Sequence, residues 1–286
     1  MRNIEFDSYS IESSQVDTIA GKTIKKAVPE LEVIEAESKQ TSDYIKGKKS
    51  LHIKEKRGNS ISLCASLSEK YICCNVHVLN TVSNCPFNCT YCFLQNYLTN
   101  KTVSIIGNID TVLDEVTEKI NKEPKRFFRI GTWELGDSLA LEQYTGQAKT
   151  LIKGFAKFNN ALLDLRTKSD NVDSILGLEH KGKTVVSWSL NPQVVIAHEE
   201  KDTASLSKRL IAMKKVTAAG YLTSIHFDPI ILYKGWETGY ISLIKQIFDT
   251  ISADKVAWIS IGSLRFNPEM KKIMEERGIP MNRLRP

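Results

Sequence analysis

The sequence contains no apolar run near the roughly 20 residues that a membrane-crossing helix needs. Its longest runs, such as Ile225 to Leu232, are broken by His226 and Asp228. The opening Met-Arg-Asn-Ile-Glu-Phe-Asp-Ser has no apolar secretory core. No membrane is expected as a partner, and the expected location is cytoplasmic. Internal repeats and low-complexity tracts are missing too, which excludes a repeat array. Cysteine is scarce: six in 286 residues cannot staple a disulfide scaffold. Three of the six lie within eight positions, as metal ligands do in a reducing compartment.

What is present is the composition of a folded enzyme-sized protein, with 42% hydrophobic and 25% charged residues. The length suits one large α/β domain or two small ones. The net charge of +6 is mildly basic. It is concentrated in Lys46, Lys48, Lys49, Lys54, Lys56 and Arg57, and in Lys122, Lys125, Arg126 and Arg129. Such groups either neutralise nucleic-acid phosphates or form a solvated face.

From Asn75 onward, short β-branched runs alternate with amphipathic stretches, the pattern of βα units around a parallel sheet. Six strands are predicted: 75–80, 126–131, 161–166, 184–190, 221–227 and 256–261. Between them, Ile109, Val112, Leu113, Val116 and Ile120 share a helical face, with Asp110 as the expected cap. Leu206, Leu210 and Met213 share another, stopped by Gly220. Ile241, Ile244, Phe248 and Ile251 form the expected buried stripe of a later helix, and a last helix begins at Pro268. Six βα units close only part of an eight-stranded barrel and leave an open side for a large substrate. The fold class is therefore α/β, a partial (β/α)6 TIM-like barrel over residues 71–286. Residues 1–70 form a short N-terminal α/β extension, with a helix near Val16 to Lys26 and a strand near Glu32 to Ile34.

The segment Cys85-Pro-Phe-Asn-Cys89-Thr-Tyr-Cys92 follows the first predicted strand at its carboxyl end, the face on which barrel active sites are built. A cubane iron–sulfur cluster normally takes four thiolates. Three closely spaced ligands leave one iron open to a substrate. A structural zinc is the alternative, with Cys64, Cys73, Cys74 or His77 as fourth ligand.

The spacing C-x3-C-x-aromatic-C, with Tyr91 as the aromatic residue, resembles the signature of the radical S-adenosylmethionine (SAM) superfamily. The resemblance implies a [4Fe-4S] cluster on Cys85, Cys89 and Cys92, and SAM cleaved there to a 5'-deoxyadenosyl radical. Further segments narrow the likeness. Cys92-Phe-Leu-Gln-Asn, Leu135-Gly-Asp-Ser-Leu, Ser187-Trp-Ser-Leu-Asn, Asp228-Pro-Ile-Ile, Gly235-Trp-Glu-Thr-Gly-Tyr and Leu264-Arg-Phe occur in the order found in the spore photoproduct lyase family. That family repairs a thymine lesion in DNA.

The likeness places Tyr91 beside the adenine, with Asp137, Lys168 and Ser189 near SAM; Glu134, in the same turn as Asp137, is a candidate contact for the cofactor's amino group. Trp133, Trp188 and Trp236 are candidate stacking surfaces. Glu134 and Tyr91 are the candidate catalytic residues. Glu134 stands where the family has its hydrogen-returning cysteine, and Phe93 stands where it has a relay tyrosine. The implied partners are DNA as substrate and a reductant such as flavodoxin or ferredoxin, with the protein acting as a monomer.

Overall fold

The computed structural model describes residues 4–28, 30–35, 41–64, 75–265 and 268–280. The six predicted strands all form. They are β1 (His77–Leu79), β2 (Phe128–Gly131), β3 (Ala161–Thr167), β4 (Thr184–Ser189), β5 (Leu222–Ile230) and β6 (Val256–Ser263). They lie side by side in chain order and are parallel throughout, and the strand Ile61–Leu63 adds antiparallel to β1. The sheet is thus an open, partial barrel whose edges are Ile61–Leu63 and β6.

The crossovers carry α1 (Ile109–Lys122), α2 (Gln147–Phe155), α3 (Leu206–Ala218) and α4 (Trp236–Thr250), and α5 (Pro268–Glu276) follows β6. Their apolar faces and the outer face of the strands form one core, including Val112, Val116, Phe155, Leu163, Trp188 and Met213. The α3 helix starts at Ser205, whose hydroxyl accepts from Lys208 N, and stops at Gly220, whose φ of +92° suits glycine.

Three expectations are corrected. Asp110 does not cap α1: Asn108 occupies the cap position, without a capping bond to a helix N–H, and Asp110 sits in the first turn. The β3–β4 connection holds only a 3-10 turn, Asp173–Ile175, so the third unit lacks its α-helix. In α4 the buried stripe is Tyr240, Leu243 and Ile247, while Ile241, Ile244 and Phe248 face solvent. Both stripes are apolar. The inward one is selected by the Tyr240 hydroxyl, which accepts from Ile231 N and donates to Asn191 Oδ1, partners found only inside.

A second sheet has the order Glu32–Ile34, Ser8–Glu12, Ser50–Lys54, Val103–Ile106, Val82–Ser83. Two of its strands come from beyond residue 70, so core residues complete the extension's sheet. The expected boundary at 70/71 itself lies outside the described residues. No helix among the described residues is long and apolar enough to cross a membrane.

Candidate metal centre

Cys85, Cys89 and Cys92 lie on the loop after Val82–Ser83, beyond the carboxyl end of β1. All three are free thiols, Cys89 buried and the others partly exposed. The loop is fastened from two directions. Asn88–Cys89 pairs antiparallel with Glu200–Lys201. Thr90 N donates to Glu199 O at 2.8 Å, and its hydroxyl to Glu199 Oε2 at 2.5 Å. From the extension, buried Lys48 donates its ammonium to Cys85 O at 2.7 Å and Phe87 O at 2.6 Å.

Burial pushes the Cys85 and Cys89 thiols up, Cys89 to about 12. At Cys85, Asp137 adds to the rise and Lys48 opposes it; at Cys89, Lys168 opposes it and Glu200 adds to it. Cys92 adds to the rise at both, and Cys89 to that at Cys85. Thiolates gathered in this way call for positive charge among them, which suits ligands of a metal cluster. A structural zinc needs a fourth protein ligand beside the three thiols. Two proposed zinc ligands are misplaced. His77 opens β1 and Cys64 N bonds Val76 O, both at the opposite end of β1 from the motif. Cys73 and Cys74 lie outside the described residues. The three sulfurs therefore fit a cluster with one corner left over.

Around them stand the other expected site residues. Tyr91 is buried, and its hydroxyl donates to Glu200 Oε1, so the phenol is anchored away from solvent. Lys168 follows β3 and holds its ammonium 5.9 Å from the centre of the Tyr91 ring. Asp137 is 8% exposed, and its carboxylate is engaged on four sides. It accepts from Leu139 N, Ala140 N and the Thr167 hydroxyl, and from Lys168 N at 2.7 Å. It therefore ties the turn after β2 to the end of β3. Ser189 ends β4, with its carbonyl accepting from Arg209 at 2.9 Å. Glu134 is half-buried in the turn after β2. Of the tryptophans, Trp188 is fully buried in the core with its indole N–H on Ser169 O, so it offers no stacking face at the mouth, and the partly buried Trp236 packs edge-on to Tyr240.

The network behind Tyr91 was not anticipated. Glu200 accepts from Asn191 at 2.8 Å and meets Arg209 at 2.6 Å, with both side chains of that ion pair at 0% exposure. Burial alone would raise the Glu200 carboxyl; Arg209, Lys168 and the Tyr91 and Asn191 bonds override it and hold it down, to about 2.

The barrel interior was also missed. Asp164 accepts from Ser187 at 2.5 Å and from the Trp133 indole at 3.1 Å, and Ser224 links Ser187 to His226. The Arg166 guanidinium lies 3.9 Å from the Trp133 ring centre, and that of Arg129 lies 4.9 Å from Trp258. Arg129 Nε, Arg166 Nε, His226 Nδ1 and Trp258 Nε1 are buried without a partner among the described residues. Burial and the cations Arg166, Arg129 and Lys168 hold His226 neutral, its pKa lowered to about 2. The signal was available: Asp164 and Arg166, Ser187 and Ser189, and Ser224 and His226 alternate with apolar residues at a period of two.

An open parallel barrel with three clustered thiols at its carboxyl mouth has the fold class of the radical SAM enzymes. More narrowly, the chain belongs to the spore photoproduct lyase family, whose model matches residues 18–285. It is 27% identical over 204 residues to a spore photoproduct lyase from a Geobacillus species, covering 70% of this chain and 60% of that protein. It is 26% identical over 248 residues to the Clostridium acetobutylicum lyase, covering 85% and 71%, and 28% identical over 197 residues to the Bacillus subtilis lyase, covering 68% and 58%. Among solved structures, a spore photoproduct lyase variant with bound AdoMet and dinucleoside spore photoproduct superposes with a TM-score of 0.85 at 22% identity, over 96% of this chain and 84% of that one.

Proposed function

We propose that the protein is a radical SAM enzyme acting on a damaged thymine in DNA, as its lyase relatives do. The convergence of three thiols, Lys168 and a polar barrel interior at one mouth carries this reading. In it, Cys85, Cys89 and Cys92 would hold a [4Fe-4S] cluster, and Tyr91, Glu134, Lys168 and Ser189 would bind SAM. When bound, the pair supplies reductive cleavage of a sulfonium and hydrogen abstraction from the substrate.

The chain's own residues do the rest. Lys168 offers the methionine carboxylate a charge-assisted bond, and Asp137 holds the Lys168 backbone in place. Tyr91, locked by Glu200, walls the site against water. The exposed edge-to-face pair Phe93 and Tyr97, just after the third cysteine, offers stacking faces to an extruded base. The barrel donors left without partners among the described residues would receive its polar edge. The protein would work as a cytoplasmic monomer supplied with electrons by a flavodoxin or ferredoxin.

Glu134 favours a second reading, a substrate other than a thymine dimer. A carboxylate yields a hydrogen atom less readily than the thiol that relatives carry in that turn.

One experiment separates the readings. Anaerobic reconstitution is expected to give about four irons per chain, and dithionite with SAM should then release 5'-deoxyadenosine, with Cys89→Ala abolishing it. Ultraviolet-irradiated spore-type DNA should be restored to thymine. SAM cleavage without restored thymine selects the second reading, and no cleavage defeats both.

A further inference from the structure

The short helix Tyr44–Lys48 of the extension lies against the cysteine loop. Asp43 caps it, accepting from Ile45 N at 2.9 Å and Lys46 N at 3.0 Å. Gly47 lets the helix pass close to the Lys101 backbone, because a Cβ there would stand 2.1 Å from Lys101 O. Lys48, which grips the carbonyls of Cys85 and Phe87, also holds its ammonium 4.5 Å from the centre of the Tyr44 ring.

From the other end of the chain, the Arg277 guanidinium lies 4.3 Å from the same ring centre. It donates to Asn88 Oδ1 at 2.7 Å and to Gln95 Oε1. The Tyr44 ring is therefore bracketed by two cations that are each bonded to the segment carrying the cysteines. Tyr44 is only 9% exposed, yet its hydroxyl has no hydrogen-bond partner among the described residues. An unsatisfied buried hydroxyl is destabilising, so its position needs a reason. Its surroundings supply one. The ring is held against the cysteine segment itself, through Lys48 on Cys85 O and Arg277 on Asn88 Oδ1.

We propose that the Tyr44 hydroxyl donates a hydrogen bond to a sulfur of the cluster held by Cys85, Cys89 and Cys92, so that the extension tunes the reduction potential of the centre. The inference rests on the cluster reading given above. Hydrogen bonds to cluster sulfurs and nearby positive charge both favour the reduced, more negative form. Tyr44 supplies the bond, and Lys48 and Arg277 supply the charge. The extension is thus a working part of the redox site.

The test compares full-length wild type with Tyr44→Phe, both reconstituted anaerobically without SAM. Iron content should match at about four per chain. The midpoint potential in an EPR-monitored redox titration should move negative in Tyr44→Phe. The exchangeable-proton coupling seen by pulsed EPR in H2O against D2O should disappear. A second variant carries 3-fluorotyrosine at position 44, which keeps the shape and strengthens the donor, and it should move the potential positive. Unchanged potential and unchanged proton coupling in Tyr44→Phe overturn the proposal. Should Tyr44→Phe take up no cluster, the fluorotyrosine variant decides: a positive shift supports the bond and no shift overturns it. Wild type that forms no cluster overturns the three-cysteine site itself, a failure distinct from the others.

Discussion

Arg209 and Glu200 are both shut off from solvent and paired with one another, with Lys168 and neighbouring dipoles adding to the balance. Removing one partner strands the other. Arg209→Met is expected to destabilise the fold by roughly 3–5 kcal/mol, because it leaves an uncompensated buried carboxylate. Chemical denaturation should show this, and adding Glu200→Gln to the same chain should recover most of it. If the single variant loses less than about 1 kcal/mol, the pair does not hold the loop as described. At this scale the legible residues were those whose chemistry is local. Three cysteines within eight positions are visible in any window. Glu200 reaches Tyr91 across 109 positions, and no periodicity marks such a partner. Asp137 was legible as a site residue, but its second task, tying the turn after β2 to the end of β3, was not.

Among the elements, α2 begins on an unusual support. The buried Glu142 carboxylate accepts from Ala148 N at 2.8 Å and Lys149 N at 3.2 Å. Burial raises its pKa from 4.5 to about 7 despite those bonds. A folded value above the unfolded one means that stability is fully present below pH about 4.5 and is lost as pH rises through about 7. That loss is on the order of 3 kcal/mol. Glu142→Gln should flatten this part of the unfolding profile between pH 4 and 8, and an unchanged slope would refute the assignment.

The two stripes of α4 make a paired test. Leu243→Ala should cost about 2–5 kcal/mol and Ile241→Ala under about 0.5 kcal/mol in denaturation midpoints. Strands were the most legible elements, since β-branched runs at regular spacing leave few alternatives. The α4 face was not, because both stripes are apolar and the choice lies in one hydroxyl's partners.

For the molecule as a whole, the extension and barrel are sewn together by the sheet that joins Ser50–Lys54 to Val103–Ile106. A chain begun at residue 75 would expose Val103–Ile106, buried at every position, as a bare edge. It is expected to aggregate on expression and to take up no cluster. A well-behaved monomer on size-exclusion chromatography that binds iron would show instead that the barrel stands alone. This interleaving could not be read from local patterns, because parallel pairing between distant segments leaves no mark in either one.

The cysteine loop is spliced between Val82–Ser83 and Val103–Ile106, two strands paired to each other in the extension's sheet. Any inorganic group seated in that loop therefore contributes to the folding equilibrium by mass action. Oxygen damage to such a group would not only switch the catalyst off. It would loosen amide protons in a sheet far along the chain, and the polypeptide's lifetime in the cell would record its exposure to air.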